Sequence, residues 1–227
     1  QKTGSFKVRG AINAVLSLKE NERTKGIVTH SSGNFAAALS YAASCMEVKA
    51  KIVMPENATA SKVEAVNYYG GEIIYTGNKP GDREKTANEI IEKTGASFIH
   101  PSNDIRVIMG HSSAAIEFMK QSERLDYVIV PVGGGGLISG IATGFYHLSP
   151  DTKIIGAEPE NANDAYRSLQ EGKIMPSVNP DTIADGLRTS LGEITFPIIK
   201  KLVERIITVT EEEIISAMRF IWERMKL

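Results

Sequence analysis

The sequence DYVIVPVGGGGLISGIATG, residues 126–144, decides the fold of this chain. It opens with an almost continuous apolar run, residues 127–132, which is the composition of a strand buried on both faces of a parallel sheet. Four glycines follow, and apolar residues then return at helical spacing, at Leu137, Ile138 and Ile141. The stretch therefore predicts a strand, a glycine-rich loop and a helix, in that order.

The four glycines of this loop, Gly133, Gly134, Gly135 and Gly136, form a candidate anion site. Ordering four glycines costs conformational entropy, so the loop needs a physical reason. Without side chains the backbone approaches a ligand closely, and N–H groups just ahead of a helix N-terminus favour negative charge. A phosphate group fits this arrangement. The alternative, which stays open, is a turn that only lets the strand and the helix pack closely.

Two common phosphate-binding motifs are absent from the sequence. The dinucleotide fingerprint GxGxxG would place glycine at position 138, where the chain has Ile138, and the GK[ST] sequence of the P-loop does not occur. A phosphate held by this loop would therefore be held in another way.

The composition excludes several classes of protein. A chain of 227 residues with 42% apolar content and a net charge of −1 is an ordinary globular protein of one large or two small domains. A basic surface for nucleic acid is not indicated, and no apolar run reaches the ~18 residues of a membrane span. The single cysteine, Cys45, excludes an internal disulfide and fits a reducing, cytoplasmic setting.

Strand and helix patterns alternate along the chain, with connections of a few residues. Helices are predicted at residues 3–18, 58–69, 82–94, 107–119, 197–203 and 211–225, and strands at 49–55, 72–75, 97–100 and 205–209. This alternation indicates an α/β fold with a doubly wound parallel sheet.

Lys7 is the first candidate catalytic residue. Small and capping-type residues precede it, which places it in or near the first turn of the predicted opening helix. The positive end of the helix dipole opposes a cation there and lowers the pKa of an ammonium group, as an amine nucleophile requires. Taken alone, the same lysine also fits a solvated surface position.

A second candidate site is the sequence THSSGN, residues 29–34. Ser31, Ser32, Gly33 and Asn34 fall between a β-branched strand and an Ala-rich helix. At such a junction hydroxyl, amide and free helix N–H groups face one ligand. Capping of the helix by one of the serines is the alternative that needs no ligand.

Glu158 and Asp164 are candidate metal ligands at the end of a strand predicted from residue 153. Two carboxylates with neighbouring backbone carbonyls suit a hard cation such as Mg²⁺. An acidic loop without a metal is the alternative.

Taken in order, these motifs resemble a known family. The chain is similar to the fold-type II pyridoxal-phosphate enzymes, and within them to the serine racemase and serine/threonine dehydratase branch. The matching stretches are KTGSFKVRGA, THSSGN, VPVGGGGL, GAEPENAND, TIADG and WERMK, spread over essentially all 227 residues. TIADG and the Glu158/Asp164 pair favour the racemase-like side. The resemblance implies a racemase, or an ammonia-lyase (dehydratase), acting on L-serine or L-threonine.

The resemblance also implies a domain organisation like that of the tryptophan synthase β chain. A small lobe, residues 25–104, would be inserted into a large cofactor-binding lobe, residues 1–24 and 105–227. Ligand motifs at the carboxyl ends of parallel strands agree with a cofactor cleft between them.

The same resemblance implies which residues hold the cofactor, pyridoxal 5′-phosphate. Lys7 would form the internal aldimine with the cofactor aldehyde and, once released by substrate, would move the Cα proton on one face. Phe6 would lie against the ring, and Asn34 would hydrogen-bond the ring 3′-oxygen. The 5′-phosphate would be held by Gly133, Gly134, Gly135 and Gly136.

Substrate and metal have implied ligands as well. Ser31, Ser32 and Asn34 would bind the substrate carboxylate, and Ser32 would also be the acid and base on the opposite face of Cα. The ligands of a structural Mg²⁺, Ca²⁺ or Mn²⁺ would be Glu158, the carbonyl of Ala162, and Asp164.

The chain departs from the family in three ways. GHSS, residues 110–113, stands where the family usually has GQGT, near the expected pocket, and Phe35 replaces a frequent histidine. The family's strand before TGSFK and its EPSG and SGGN segments beyond residue 227 are missing. We therefore expect a fragment of a longer enzyme that is a homodimer when complete, and we expect activity to need the complete protein.

Two other functions stay open. A β-replacement enzyme of the cysteine synthase kind shares the lysine and asparagine elements, although the four-glycine loop and TIADG fit it poorly. A non-catalytic phosphate-ligand or regulatory module would keep the fold and lose the chemistry, which the GHSS departure favours.

Overall fold

The computed structural model describes residues 2–79 and 81–226 and shows parallel sheets flanked by helices. The predicted α/β class is confirmed. The chain divides into two compact units, Gln1–Ser113 and Ala114–Leu227. These units are divided at other positions than the predicted lobes, and the inserted-lobe organisation stays a prediction. Within residues 2–79 and 81–226, no helix has the length and hydropathy needed to cross a membrane.

The first unit is built around a four-stranded parallel sheet of order β3-β2-β1-β4. Its elements are α1 (Lys7–Leu16), α2 (Glu20–Lys25), β1 (Ile27–His30), α3 (Asn34–Cys45), β2 (Ala50–Pro55), α4 (Ala60–Tyr68), β3 (Glu72–Thr76), α5 (Asp82–Thr94), β4 (Ser97–Phe98) and the start of α6 (Ile105–Gln121). Because β1 and β4 are parallel neighbours, the loops that follow them lie at the same edge of the sheet.

The opening helix is shorter than predicted. Thr3 and Gly4 form part of a short 3₁₀ turn, Lys2–Gly4, and adopt φ angles of 59° and 67°, which an α-helix cannot contain. The helix therefore begins at Lys7, and a separate short helix, α2, follows it. Lys7 lies in the first turn, as the sequence predicts.

Small side chains let α1 and α3 pack closely in the core of the first unit. Ala11 and Ala14 of α1 and Ala38 and Ala42 of α3 are all fully buried. Alanine places little between two helix backbones, so the start of α3 is brought close to α1.

Helix α1 also crosses the start of α6 at glycine. A Cβ on Gly110 would lie 2.7 Å from the Cα of Gly10 and would collide with the carbonyl oxygen of Arg9. No side chain fits at this crossing, so the two helices meet at their backbones.

The second unit has a three-stranded parallel sheet of order β5-β6-β7. Its elements are β5 (Tyr127–Pro131), α7 (Gly136–Leu148), β6 (Lys153–Pro159), α8 (Asp164–Glu171), α9 (Thr195–Leu202), β7 (Arg205–Val209) and α10 (Glu211–Met225). The predicted order of strand, glycine loop and helix is confirmed by β5 and α7.

The prediction that β5 is buried on both faces is wrong. Val128 and Val130 pack in the core, whereas Tyr127 and Ile129 have 54% and 62% of their surface exposed. The strand has apolar side chains on both faces, but the part of the chain that the structure describes covers only one of them.

Candidate active site

Lys7 projects from the N-terminus of α1 into a half-buried position beside two aromatic rings. Its Nζ donates a hydrogen bond of 3.1 Å to the carbonyl oxygen of Pro101. The same atom lies 5.1 Å from the ring centroid of Phe6 and 5.9 Å from that of Phe35. Phe35 is in the first turn of α3. The structure therefore brings Lys7, Phe6 and the turn after β1 together.

Burial changes the acidity of this amine. It lowers the pKa of Lys7 from 10.5 to about 8, and the first turn of α1 contains no acidic residue. An amine with this pKa is partly neutral near physiological pH, so it can attack a carbonyl or accept a proton. The interpretation of Lys7 as a solvated surface residue does not fit this position.

The turn between β1 and α3 leaves the helix N-terminus open. Ser31 is buried, and its Oγ accepts a hydrogen bond of 3.4 Å from the N–H of Gly33. Ser32 is half-buried, and Asn34, the first residue of α3, is exposed. The N-cap is Gly33, and no side chain caps the helix. The capping alternative is therefore wrong, and the first N–H groups of α3 are open to a ligand.

The loop after β4 contributes residues that the sequence did not reveal as functional. The Pro101 carbonyl faces Lys7, and the Nδ1 of His100 accepts backbone N–H groups from Ser102 at 3.1 Å and Asn103 at 2.8 Å. His30, the last residue of β1, packs edge-on against His100 with ring centroids 5.5 Å apart. The available signal was the sequence HPSN, residues 100–103, which begins at the last residue of the predicted strand 97–100.

His111, in the GHSS departure, packs edge-on against Phe6. The two ring centroids are 5.0 Å apart, and the imidazole is fully buried. Within the described residues neither ring nitrogen has a hydrogen-bond partner. Burial, followed by the charges of Lys7 and Arg9, lowers the pKa of His111 to about 3. The ring is therefore neutral at physiological pH.

In the second unit, packing explains two of the four glycines. Gly135, the N-cap of α7, has a φ of 79°, which favours glycine. A Cβ there would lie 2.8 Å from Leu191 and 2.9 Å from Ile199. A Cβ on Gly133 would lie 3.0 Å from the carbonyl oxygen of Gly186. Close packing is thus a real requirement of this loop.

The same loop keeps the features of an anion site. Gly136 begins α7, and no side chain caps that helix. The carbonyl of Gly134 accepts a hydrogen bond of 3.2 Å from the Thr195 hydroxyl, which fixes the loop in place. The packing and phosphate interpretations are therefore compatible.

The TIADG segment, residues 182–186, packs against the glycine loop. The N–H of Ile183 donates to Glu211 at 2.9 Å, and the Nε of Arg188 donates to the Thr182 carbonyl at 2.9 Å. Because Gly186 packs on Gly133, this segment fixes the shape of the loop.

Glu158, near the end of β6, and Asp164, the first residue of α8, are both buried, as is Ala162 between them. Glu158 accepts the N–H groups of Ala165 at 3.1 Å and Tyr166 at 2.8 Å. The Oδ2 of Asp164 accepts the N–H of Leu191 at 3.3 Å. In the described residues its Oδ1 has no hydrogen-bond partner.

Burial raises the pKa of both carboxyl groups, to about 8 for Glu158 and to about 6 for Asp164. A buried carboxylate oxygen without a partner fits a cation ligand. Across residues 2–79 and 81–226, no group of three His, Cys, Asp or Glu side chains is arranged to hold a metal. Any metal here would need backbone or water oxygens besides the two carboxylates.

The predicted residues fall into two sets. Lys7, Phe6, Ser31, Ser32 and Asn34 lie in the first unit, where the structure gathers them around the starts of α1 and α3. The second unit contains the glycine loop and the residues predicted as metal ligands, which are Gly133, Gly134, Gly135, Gly136, Glu158, Ala162 and Asp164.

Comparison with known proteins identifies the family of this chain. The pyridoxal-phosphate dependent enzyme family matches residues 1–227. Serine racemase of Dictyostelium discoideum is 48% identical over 229 residues, covering 100% of this chain and 71% of that protein. The structure of maize serine racemase superimposes with a TM-score of 0.97 at 43% identity, covering 100% of this chain and 69% of that one.

A threonine deaminase structure, that of the T.th. enzyme, is similar too. It superimposes with a TM-score of 0.92 at 43% identity, covering 99% of this chain and 73% of that one. The chain therefore belongs to the pyridoxal-phosphate dependent enzyme family, in the branch that contains serine racemases and serine/threonine dehydratases.

Proposed function

We propose that this chain carries out serine racemisation, ammonia elimination from L-serine or L-threonine, or both. The observation that carries the proposal is Lys7: a half-buried amine with a lowered pKa, placed between Phe6 and the open N-terminus of α3. Relatives that racemise serine or deaminate threonine, at 43–48% identity, support the same reaction class.

The residues present fit pyridoxal phosphate in chemical terms. Lys7 supplies the amine for its aldehyde, Phe6 supplies an aromatic face, and Asn34 supplies an amide for the ring oxygen. The open N-terminus of α7 and its glycines supply backbone N–H groups for the phosphate. When bound, the cofactor supplies an electron sink that makes the Cα proton of the substrate acidic.

Proton transfer then falls to the side chains of the first unit. The neutral amine of Lys7 accepts the Cα proton at Nζ on one face. Ser31, Ser32 and Asn34 surround the open N-terminus of α3, where a substrate carboxylate is favoured by charge. The hydroxyl of Ser32 donates a proton on the other face, which racemisation needs and elimination does not.

The second unit carries a proposed structural metal. Glu158, Asp164 and the carbonyl of Ala162 would ligate Mg²⁺, Ca²⁺ or Mn²⁺. The support is the pair of buried carboxylates and the unpartnered Oδ1 of Asp164. A divalent cation would hold the fold of this loop and would not take part in the reaction.

We further propose that the protein acts as a cytoplasmic homodimer, without a nucleic-acid or membrane partner. Cys45 is free, as a reducing compartment would keep it. Ile129, Tyr146 and Leu148 of the second unit are large, apolar and more than half exposed, as residues in a subunit contact would be. Sedimentation of the protein measures this assembly directly.

The experiment that tests the function is turnover of L-serine and L-threonine with pyridoxal phosphate, following D-serine, pyruvate and ammonia together. Lys7→Ala should abolish every product and the covalent attachment of cofactor, which borohydride reduction and peptide mass spectrometry detect. Lys7→Ala with undiminished products would contradict the proposal. Replacement of a β-substituent by sulfide, without D-serine or ammonia, would favour the cysteine synthase kind of enzyme. Cofactor binding without turnover would favour a regulatory module.

A further inference from the structure

The loop between β4 and α6 is shaped by one imidazole. The Nδ1 of His100 accepts two backbone hydrogen bonds, from Ser102 at 3.1 Å and from Asn103 at 2.8 Å. Two hydrogen bonds to this one acceptor atom thus close the turn of residues 100–103. Pro101 lies inside this turn, and its carbonyl oxygen accepts the 3.1 Å hydrogen bond from the Nζ of Lys7.

His100 accepts these bonds only while Nδ1 is unprotonated. Burial lowers the pKa of His100 to about 4; His30 and Lys7 act in the same direction, and Asp104 opposes them. The half-buried ring also packs edge-on against His30 and Phe98, with centroids 5.5 Å and 6.2 Å away. At neutral pH the imidazole is therefore neutral, with its proton on Nε2.

The end of the loop next to α6 is held by an ion pair and hydrogen bonds that do not involve His100. Arg106 pairs with Asp104 at 2.6 Å and donates to the carbonyl of Phe98 at 2.8 Å. The side chain of Asn13, on α1, donates to the Arg106 carbonyl at 2.7 Å. A substitution of His100 should therefore loosen the turn around Pro101 and leave the ends of the loop in place.

We propose that His100 is a positioning residue for Lys7, acting through the carbonyl of Pro101. The proposal rests on the proposed role of Lys7. When the amine of Lys7 is free and neutral, one N–H is donated to Pro101, so the lone pair of Nζ points away from that carbonyl. The place of the carbonyl thus sets the direction from which Nζ accepts a proton. His100 fixes that place and does not itself touch the substrate.

Two substitutions separate the acceptor from the ring. His100→Asn keeps an acceptor, because an asparagine oxygen bonds backbone N–H groups a few residues on, and it loses the ring. His100→Phe keeps a ring against His30 and Phe98 and loses the acceptor.

In the pyridoxal-phosphate-loaded enzyme we expect His100→Phe to lower kcat about 10²-fold, the effect of a small misplacement of a reacting group. KM should change little. His100→Asn should keep kcat within a few-fold of the unsubstituted enzyme. Equal losses in the two variants, or a loss in His100→Asn alone, would overturn the proposal.

Amide hydrogen exchange of the loaded enzyme gives a readout that does not depend on turnover. Protection of the N–H groups of Ser102 and Asn103 should fall in His100→Phe and persist in His100→Asn. If both amides stay protected in His100→Phe, the imidazole does not hold the turn and the proposal is wrong.

Lys7→Ala distinguishes a failure of this proposal from a failure of the proposed function. If Lys7→Ala retains turnover and attached cofactor, both are wrong. If Lys7→Ala is inactive while His100→Phe matches the unsubstituted enzyme, Lys7 keeps its role and only the positioning by His100 is wrong.

Discussion

Two strand-to-helix turns of this molecule have the same order of strand, glycine N-cap and helix, and they differ in their side chains. β1 leads to α3 and β5 leads to α7; each helix has a glycine N-cap and no side-chain cap. The first residue of each turn extends the parallel ladder: Ser31 donates to Val53 at 3.2 Å, and Val132 donates to Ala157 at 2.9 Å. The α3 turn then carries hydroxyl and amide groups, whereas the α7 turn carries only glycine.

This difference leads us to expect that the α3 turn matters for the reaction and that the α7 turn matters for packing. Both helix N-termini favour an anion, but only the α3 turn has the hydroxyl side chains for which we propose proton transfer. The two N-cap glycines also differ: Gly33 has a φ of −125° and open space around it, whereas Gly135 has a φ of 79° and close neighbours. Substitutions in the α3 turn should therefore change the reaction, and substitutions in the α7 turn should change the fold.

Between the two turns, the largest effect is expected at Ser32. Ser32→Ala should lower D-serine formation by about 10² to 10⁴-fold, because it removes the proposed acid and base on one face. Elimination from L-serine should stay measurable, because that reaction needs only the proton transfer proposed for Lys7. Some loss common to both products is expected from weaker carboxylate binding. The measurement is D-serine and pyruvate in one assay, and equal losses would show that Ser32 only binds.

The next effect tests the α7 turn. Gly135→Ala should reduce the free energy of unfolding by about 2 to 5 kcal/mol, because alanine is strained at this φ and its Cβ meets Leu191 and Ile199. Urea denaturation of both proteins measures the difference.

Gly33→Ala is the matched control for that substitution. Its φ is compatible with alanine and no atom lies within 4 Å of the added Cβ, so stability should change by less than about 1 kcal/mol, towards a more stable protein. Equal destabilisation by the two substitutions would show that the two turns do not differ in packing.

The sequence predicts the elements well where its patterns are local. β7 and α10 have the predicted bounds, because β-branched residues form the strand and the Thr210 capping box starts the helix. The opening helix is shorter than predicted because the residue type of Thr3 does not indicate its positive φ angle. Lys7 is identified through its place near a helix start and through the family resemblance.

Contacts between distant segments could not be predicted from the sequence. The Pro101 carbonyl meets Lys7 across 94 positions of the chain, through sheet order and helix packing that no periodicity encodes. The same holds for Gly110, which is glycine because α1 crosses there. Residues chosen for a local backbone need are visible in a sequence, and residues chosen for a distant neighbour are not.

The third effect concerns Glu158 and Asp164, the buried carboxylates beside β6. A chelator should lower the Tm of the metal-loaded protein, because a bound cation at 100 times its Kd stabilises by about 2.7 kcal/mol. Asp164→Asn should make the Tm insensitive to the chelator. An unchanged Tm on chelation of the loaded protein would show that the carboxylates form only a buried acidic loop.

The smallest effect is a pH dependence from His111, beside Phe6. The pKa of His111 is about 3 in the folded protein and about 6.5 in an unfolded chain. Between these values the unfolded state binds more protons, so folded stability falls as pH falls from 6.5 towards 3. The slope from one such group is at most about 1.4 kcal/mol per pH unit.

His111→Gln isolates this contribution, because glutamine does not titrate and is close to imidazole in size. Other groups, including His30 and His100, whose pKa values are also lowered, titrate in both proteins and cancel in the difference. Urea denaturation at pH 7, 6 and 5 measures the free energy of unfolding of both proteins. As pH falls, this free energy should decrease less in the variant than in the unsubstituted protein, even if the variant is less stable at pH 7. Parallel stability curves would mean that His111 takes up a proton in the folded state at its ordinary pKa, and that the space beside Phe6 is open to water.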